Sequence, residues 1–162
     1  MINWNREPVA TRHQFNPAFI AELVRHTCVG HGKAAGAMPF ALAFLAVPLV
    51  MYPDSRGTIN GASDTQLHTW ITKHPAARIS LAPRVRALVP YVRLGVAFGL
   101  TQRALSLDER GQLIVVRRVK TRGAPTPAIE ASDYMKGART LGRWFGRVGE
   151  PSNVFLMLGL TP

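Results

Sequence analysis

Tyr134-Met-Lys-Gly-Ala-Arg-Thr-Leu-Gly-Arg-Trp-Phe-Gly-Arg-Val148 is the stretch whose reading decides the fold. Tyr134, Ala138, Leu141, Phe145 and Val148 recur at steps of four and three, which places them on one face of an α-helix. Lys136, Arg139, Arg143 and Arg147 form a second stripe beside that face. One side of such a helix buries while the other meets something acidic. An ordinary core face backed by a solvated basic face produces the same pattern, so periodicity alone leaves both readings open.

Upstream of this helix, Ala124 to Pro127 is a proline-rich connection, preceded by a basic strand end and loop with Arg117, Arg118, Lys120 and Arg122. Leu105 to Leu107, the turn Asp108 to Gly111, and Leu113 to Val116 predict a β-hairpin, with Gly111 supplying a positive φ. Before it, Ala82 to Ala104 is helical with an interruption expected near Pro90. Val85, Leu88, Val89, Val92, Val96 and Leu100 mark one face of this element, Leu94 and Phe98 a second. Arg86 and Arg93, seven residues apart, share a face and join the loop cations in an expected electropositive surface. A helix running into a hairpin is the closing half of a winged helix.

Nearer the start, Asn16 is an N-cap with Pro17 at the first helical position, and Ile20, Leu23, Val24 and Thr27 share a face until Gly30 stops the helix. Gly30 to Ala37 is a small flexible connection. Ala34 to Tyr52 carries no charge, but Pro39 and Pro48, with Gly36 ahead of them, leave a helical core of about fourteen residues, short of the roughly twenty that cross a bilayer. It is expected to be a buried helix. Asp54 to Ala62 is expected as loop, followed by a capping box of Ser63 and Gln66 on a short helix with Leu67, Trp70 and Ile71, stopped by His74 and Pro75.

Charged residues make up 18% and apolar residues 47% of the 162, a balance that predicts a packed globular domain. The expected division is a flexible arm over residues 1–14 and one domain over 15–162. The net charge of +11 is the outlier. Residues 1–81 hold seven bases against four acids and residues 82–162 thirteen against five, so the second half carries the electropositive surface. Sixteen of the twenty bases are Arg, whose planar fork suits phosphates and carboxylates alike. The start lacks the pattern of a signal peptide, and a single cysteine, Cys28, precludes an internal disulfide; both fit a cytoplasmic location.

Three places in the sequence imitate chemistry-bearing motifs. Gly30, Gly32, Lys33 and Gly36 imitate a phosphate loop, but Thr27 stands where the first glycine belongs, Ala34 replaces the magnesium-binding hydroxyl, and a helix precedes them. His26, Cys28 and His31 lack a partner set at zinc spacing, and Cys28 lacks the surroundings of a nucleophile. Asp108 and Glu109 are explained by turn preference. No catalytic site, metal or cofactor is expected. Trp70 and Trp144 are expected in the core, and Trp4, in the polar arm, is a candidate partner anchor if exposed.

Asn16-Pro-Ala-Phe19, the run Phe40 to Tyr52 leading into Asp54-Ser-Arg56, the arginine-studded helix and the ending Leu158-Gly-Leu-Thr-Pro162 stand in an order and spacing that resemble a known family. The chain looks like the middle component of bacterial three-component ABC systems over about Phe15 to Pro162. Its tail has Leu160 where the family pattern has Val, a conservative difference. The resemblance implies a small non-catalytic subunit acting beside an SMC-like ABC ATPase and an effector protein, in systems that oppose phage and other invading DNA. It supplies no catalytic residues to carry over.

The combined expectation is a mainly α, winged-helix-like domain of about five helices with a β-hairpin wing. It would serve as an adaptor between a DNA-sensing ATPase and its effector, meeting DNA through the complex and no membrane. The alternative is a winged-helix DNA-binding transcriptional regulator, with cations on a recognition helix and wing.

Overall fold

The computed structural model describes residues 15–116 and 129–161. The expected arm at 1–14 with Trp4, the loop cations Arg117, Arg118, Lys120 and Arg122, the proline-rich connection, and Pro162 lie outside the described residues.

Helix α1, Pro17–Gly32, begins as its sequence dictates: Asn16 Oδ1 accepts from the Ala18 amide at 2.9 Å and Pro17 occupies the first turn. It runs two residues past Gly30, where a stop was expected. A 3-10 turn, Phe40–Leu42, leads into α2, Ala43–Met51, whose Leu45, Leu49 and Val50 are buried. No described helix is long and apolar enough to cross a membrane.

Helix α3, Pro53–Gly61, replaces the loop expected at Asp54 to Ala62. Pro53 and Asp54 are good first-turn residues, and Ile59, fully buried, anchors the segment against Gly57 and Gly61, which weaken its intrinsic propensity. Helix α4, Leu67–Lys73, begins at Gln66 without a side-chain cap, so the Ser63–Gln66 capping box does not form. A single turn, α5, Ala76–Ile79, connects to α6, Leu81–Thr101.

Helix α6 passes Pro90 without the expected interruption. Proline removes one backbone donor, but the same apolar face continues on both sides, where Leu88, Val92 and Val96 are buried, and this packing holds the helix together. Strands β1, Leu105–Leu107, and β2, Leu113–Val115, form the expected antiparallel hairpin, with Leu105 opposite Val115. Asp108 Oδ1 accepts from the amides of Arg110 and Gln112, and Gly111 has φ of +72°. A bridge from Leu113 to Met38 ties β2 to the segment ahead of α2.

Helix α7, Ile129–Val148, and α8, Pro151–Met157, end the chain, α8 standing where only an apolar tail was expected. The described residues thus form eight α-helices and a two-stranded antiparallel sheet. The expectation of about five was too low because α3 and α8 each bury a single apolar side chain, Ile59 and Val154, and α5 buries none, too few to mark a periodic face. Mainly helical with a small hairpin is the architecture observed.

Helix α1 lies at the centre of the packing, with α6 and α7 against different sides of it. Glycines stand at both contacts, making room for a side chain on the α6 side and letting backbones approach on the α7 side. A Cβ at Gly95 would overlap Ile20, and one at Gly99 would stand 2.8 Å from Leu105 and 3.5 Å from Ala21. On the α7 side, Gly30 lies against the Arg139 carbonyl and Gly142 against the Thr27 carbonyl, while a Cβ at Gly146 would be 2.9 Å from Ala34. Contacts rise along both helices in one direction: Phe19 meets Tyr134, His26 meets Arg139, Thr27 meets Gly142 and His31 meets Gly146. Helices α1 and α7 are therefore parallel, an arrangement that brings their polar edges side by side.

Candidate functional site: a basic groove between two parallel helices

The face expected to bury on α7 does so: Ala138, Leu141 and Phe145 are fully buried, with Tyr134 and Val148 partly so. Burial extends further round the helix than periodicity suggested, taking in Thr140, Gly142, Trp144 and Gly146. Trp144 and Trp70 are core residues, their rings 5.6 Å apart. The narrow sector left open carries the cations.

Lys136, Arg139 and Arg143 from α7 join Lys33 from the end of α1 around a groove of about 650 Å³. Val29 and Met135 give it apolar wall, and Ser63, Ser132 and Thr140 supply hydroxyls. No carboxylate is among the described residues that line it, and none of the four cations makes an ion pair with a described residue. Like charges gathered in a concavity reinforce one another's potential and favour an anionic occupant.

The two arginines are held differently. Arg139 donates from Nε to His26 Nδ1 at 2.8 Å, which leaves its terminal nitrogens for the groove. His26 is buried, and its Nε2 lies 3.5 Å from Glu22 Oε2 and 2.8 Å from an Arg25 terminal nitrogen. Acceptance at Nδ1 puts the ring hydrogen on Nε2, where Glu22 is the group able to accept it; the Arg25 guanidinium, a donor, then bonds Glu22 and not the ring. Burial, with the charges of Arg25 and Arg139, lowers the His26 pKa below its ordinary value against the opposing hydrogen bond to Glu22. Burial alone would raise the Glu22 pKa, but hydrogen bonds from His26 and the paired Arg25 bring it down to about 2. Arg139 is thus seated on a neutral histidine that a carboxylate orients from behind.

Arg143 is half-buried. Its terminal nitrogen makes long contacts, 3.3 Å to the Ser63 carbonyl and 3.4 Å to Thr140 Oγ1, and its buried Nε has no partner among the described residues. An unsatisfied cationic N–H costs more than a neutral one, so the site is short of an acceptor.

Of the cations singled out in the sequence, three, Lys136, Arg139 and Arg143, line the groove; Arg147 is exposed further along α7. Arg86 and Arg93 are exposed on α6 and line no part of it. Lys33 and His26 were missed as groove residues. The signal was present in the spacing His26, Val29, Gly30, Lys33, one face of α1, and in Gly142-xxx-Gly146, which announces a close helix contact. Other arginines are occupied internally: the Arg56 and Arg84 guanidiniums lie 3.8 Å over the Tyr134 and Tyr52 rings.

The family model described as ABC-three component (ABC-3C) system Middle Component 3 matches residues 4–162. The chain belongs to this family. As a Middle Component 3 chain it is one part of a system that has other components, so surfaces for partners are required of it. No curated protein and no solved structure matches the chain.

Proposed function

We propose that this Middle Component 3 chain is a non-catalytic adaptor that couples an SMC-like, DNA-sensing ABC ATPase to an effector in a cytoplasmic bacterial system opposing phage and mobile elements. The observation that carries this reading is the groove between α1 and α7, a fixed concave surface with four cations and no carboxylate among its described lining residues. A surface of one sign on a rigid helix pair suits selection of a partner of opposite sign.

The non-catalytic part draws support from the titratable groups. The Cys28 thiol is buried, which pushes its pKa to about 12, far from a nucleophile's. His26 is held between Arg139 at Nδ1 and Glu22 at Nε2, and His31 Nδ1 lies 3.0 Å from the Gly36 carbonyl. Neither histidine adjoins, among the described residues, a nucleophile that it would activate.

The winged-helix regulator has in its favour the long α6 running into the hairpin, with Arg86 and Arg93 exposed. In that reading duplex DNA binds the isolated chain with a steep salt dependence. Co-expression with the ATPase and effector encoded beside it tests the adaptor. A complex containing all three is expected, with nucleotide turnover abolished by changes in the ATPase and by none in this chain. Elution of the chain by itself in the presence of both, or turnover by the chain alone, would overturn the proposal.

A further inference from the structure

We infer that the groove between α1 and α7 receives an extended acidic segment of one of the partner proteins, with its carboxylates on Arg139, Arg143, Lys33 and Lys136. The inference rests on the adaptor reading and specifies where, and with what chemistry, the adaptor is gripped.

Shape argues against duplex DNA. Proteins read a duplex by protruding a helix or ribbon into a major groove about 12 Å wide, whereas these cations line a concavity. A single strand would follow a basic trough, but sites of that kind add aromatic platforms on which bases stack. The described lining has no Phe, Tyr or Trp; its apolar part is Val29 and Met135, aliphatic surface suited to side chains. The volume, about 650 Å³, is that of a site for a ligand or a short piece of chain.

The arginine geometry points the same way. Arg139, fixed through Nε by His26, offers its two terminal nitrogens as a fork that a carboxylate accepts in bidentate fashion. Arg143 has an Nε without a partner among the described residues and gives up two long contacts to them on turning towards an incoming acceptor. Lys33 and Lys136 are exposed, and each supplies a less directional charge. Successive acidic side chains on one extended strand match a row of cations drawn from two parallel helices.

The test uses the three-component complex. A photo-crosslinking residue, Ser132→p-benzoylphenylalanine, is placed at the exposed groove edge, and cross-linked peptides are identified by mass spectrometry. In parallel, the R139E/R143E variant is compared with a charge-matched control, K73E/R110E, on exposed residues outside the groove, with thermal melts confirming that both are folded. We expect cross-links to an Asp- or Glu-rich segment of the ATPase or effector. R139E/R143E should weaken assembly at least about thirtyfold and the control by less than about threefold. Reversing two acids of the cross-linked segment to Arg should restore assembly with R139E/R143E. Cross-links to nucleic acid, cross-links to a segment without acids, or assembly unchanged in R139E/R143E would each overturn the inference while leaving the adaptor reading standing. Failure of the unmodified chain to form a complex would overturn both.

Discussion

Replacing Gly142 by Ala tests the helix contact on which the groove depends, because two effects of known size oppose each other there. In an isolated helix the change stabilises by about 0.8–1.0 kcal/mol, since alanine loses less backbone freedom than glycine. In this structure the new methyl would stand 2.8 Å from the His31 nitrogen and 2.9 Å from the Thr27 carbonyl carbon, with the Thr27 oxygen nearer still. All three are backbone atoms of α1, so no side chain can swing aside and the helices must separate. Overpacking of this kind costs about 1–3 kcal/mol even where side chains can adjust, and the rigid case belongs at the upper end. A net loss of about 2 kcal/mol is expected, which for a chain of this size lowers the melting temperature by about 4–8 °C. Gly57 is the control: it is exposed in α3, a Cβ there meets nothing within 4 Å, and its φ is not positive. Gly57→Ala should raise stability by about 0.5–1 kcal/mol, or about 1–4 °C. Differential scanning calorimetry of the two variants beside the parent decides the matter. If Gly142→Ala melts at or above the parent temperature, α1 and α7 do not touch through their backbones, and the groove geometry derived from that contact is wrong.

Other expectations follow from burial and titration. Phe145→Ala, at a fully buried position, should cost about 3–5 kcal/mol in urea unfolding with partners present or absent, and a loss below about 1 kcal/mol would contradict its place in the core. In the folded chain the His26 pKa lies below its ordinary 6.5 and that of Glu22 at about 2 against an ordinary 4.5. The unfolded chain therefore binds more protons as pH falls below about 6.5, and again below about 4.5, so stability that is full near neutrality declines through both windows. Urea midpoints measured downwards from about pH 7 should fall, with His26→Asn removing the upper step and shrinking the lower one, because His26 is among the groups that hold Glu22 down; a flat or rising profile would refute this assignment. Cys28, buried with its thiol pushed to about 12, should react with iodoacetamide only as fast as the protein opens, and rapid alkylation of the native chain would place it at the surface.

Sequence alone determined those features whose causes are local. Asn16-Pro17 starts α1 because an amide acceptor and a fixed φ suit a helix N-terminus wherever they stand, and Gly111 closes the hairpin because the turn needs a positive φ. The buried face of α7 was legible in its four- and three-residue steps, as were the core tryptophans. Some short elements were not: α3 and α8 each bury a single apolar side chain, Ile59 and Val154, and α5 buries none, too few for a face to repeat. Pro90 shows the converse, a local helix-breaking signal overruled by a buried face that continues on either side of it. Three of the cations that line the groove were found as a stripe, but the groove itself was not, because it belongs to no single element. It exists because Gly30, Gly142 and Gly146 bring two helices more than a hundred residues apart in the chain into parallel backbone contact. Charge is inherited from the residues one by one, whereas concavity and the seating of Arg139 on His26 arise only when distant segments meet.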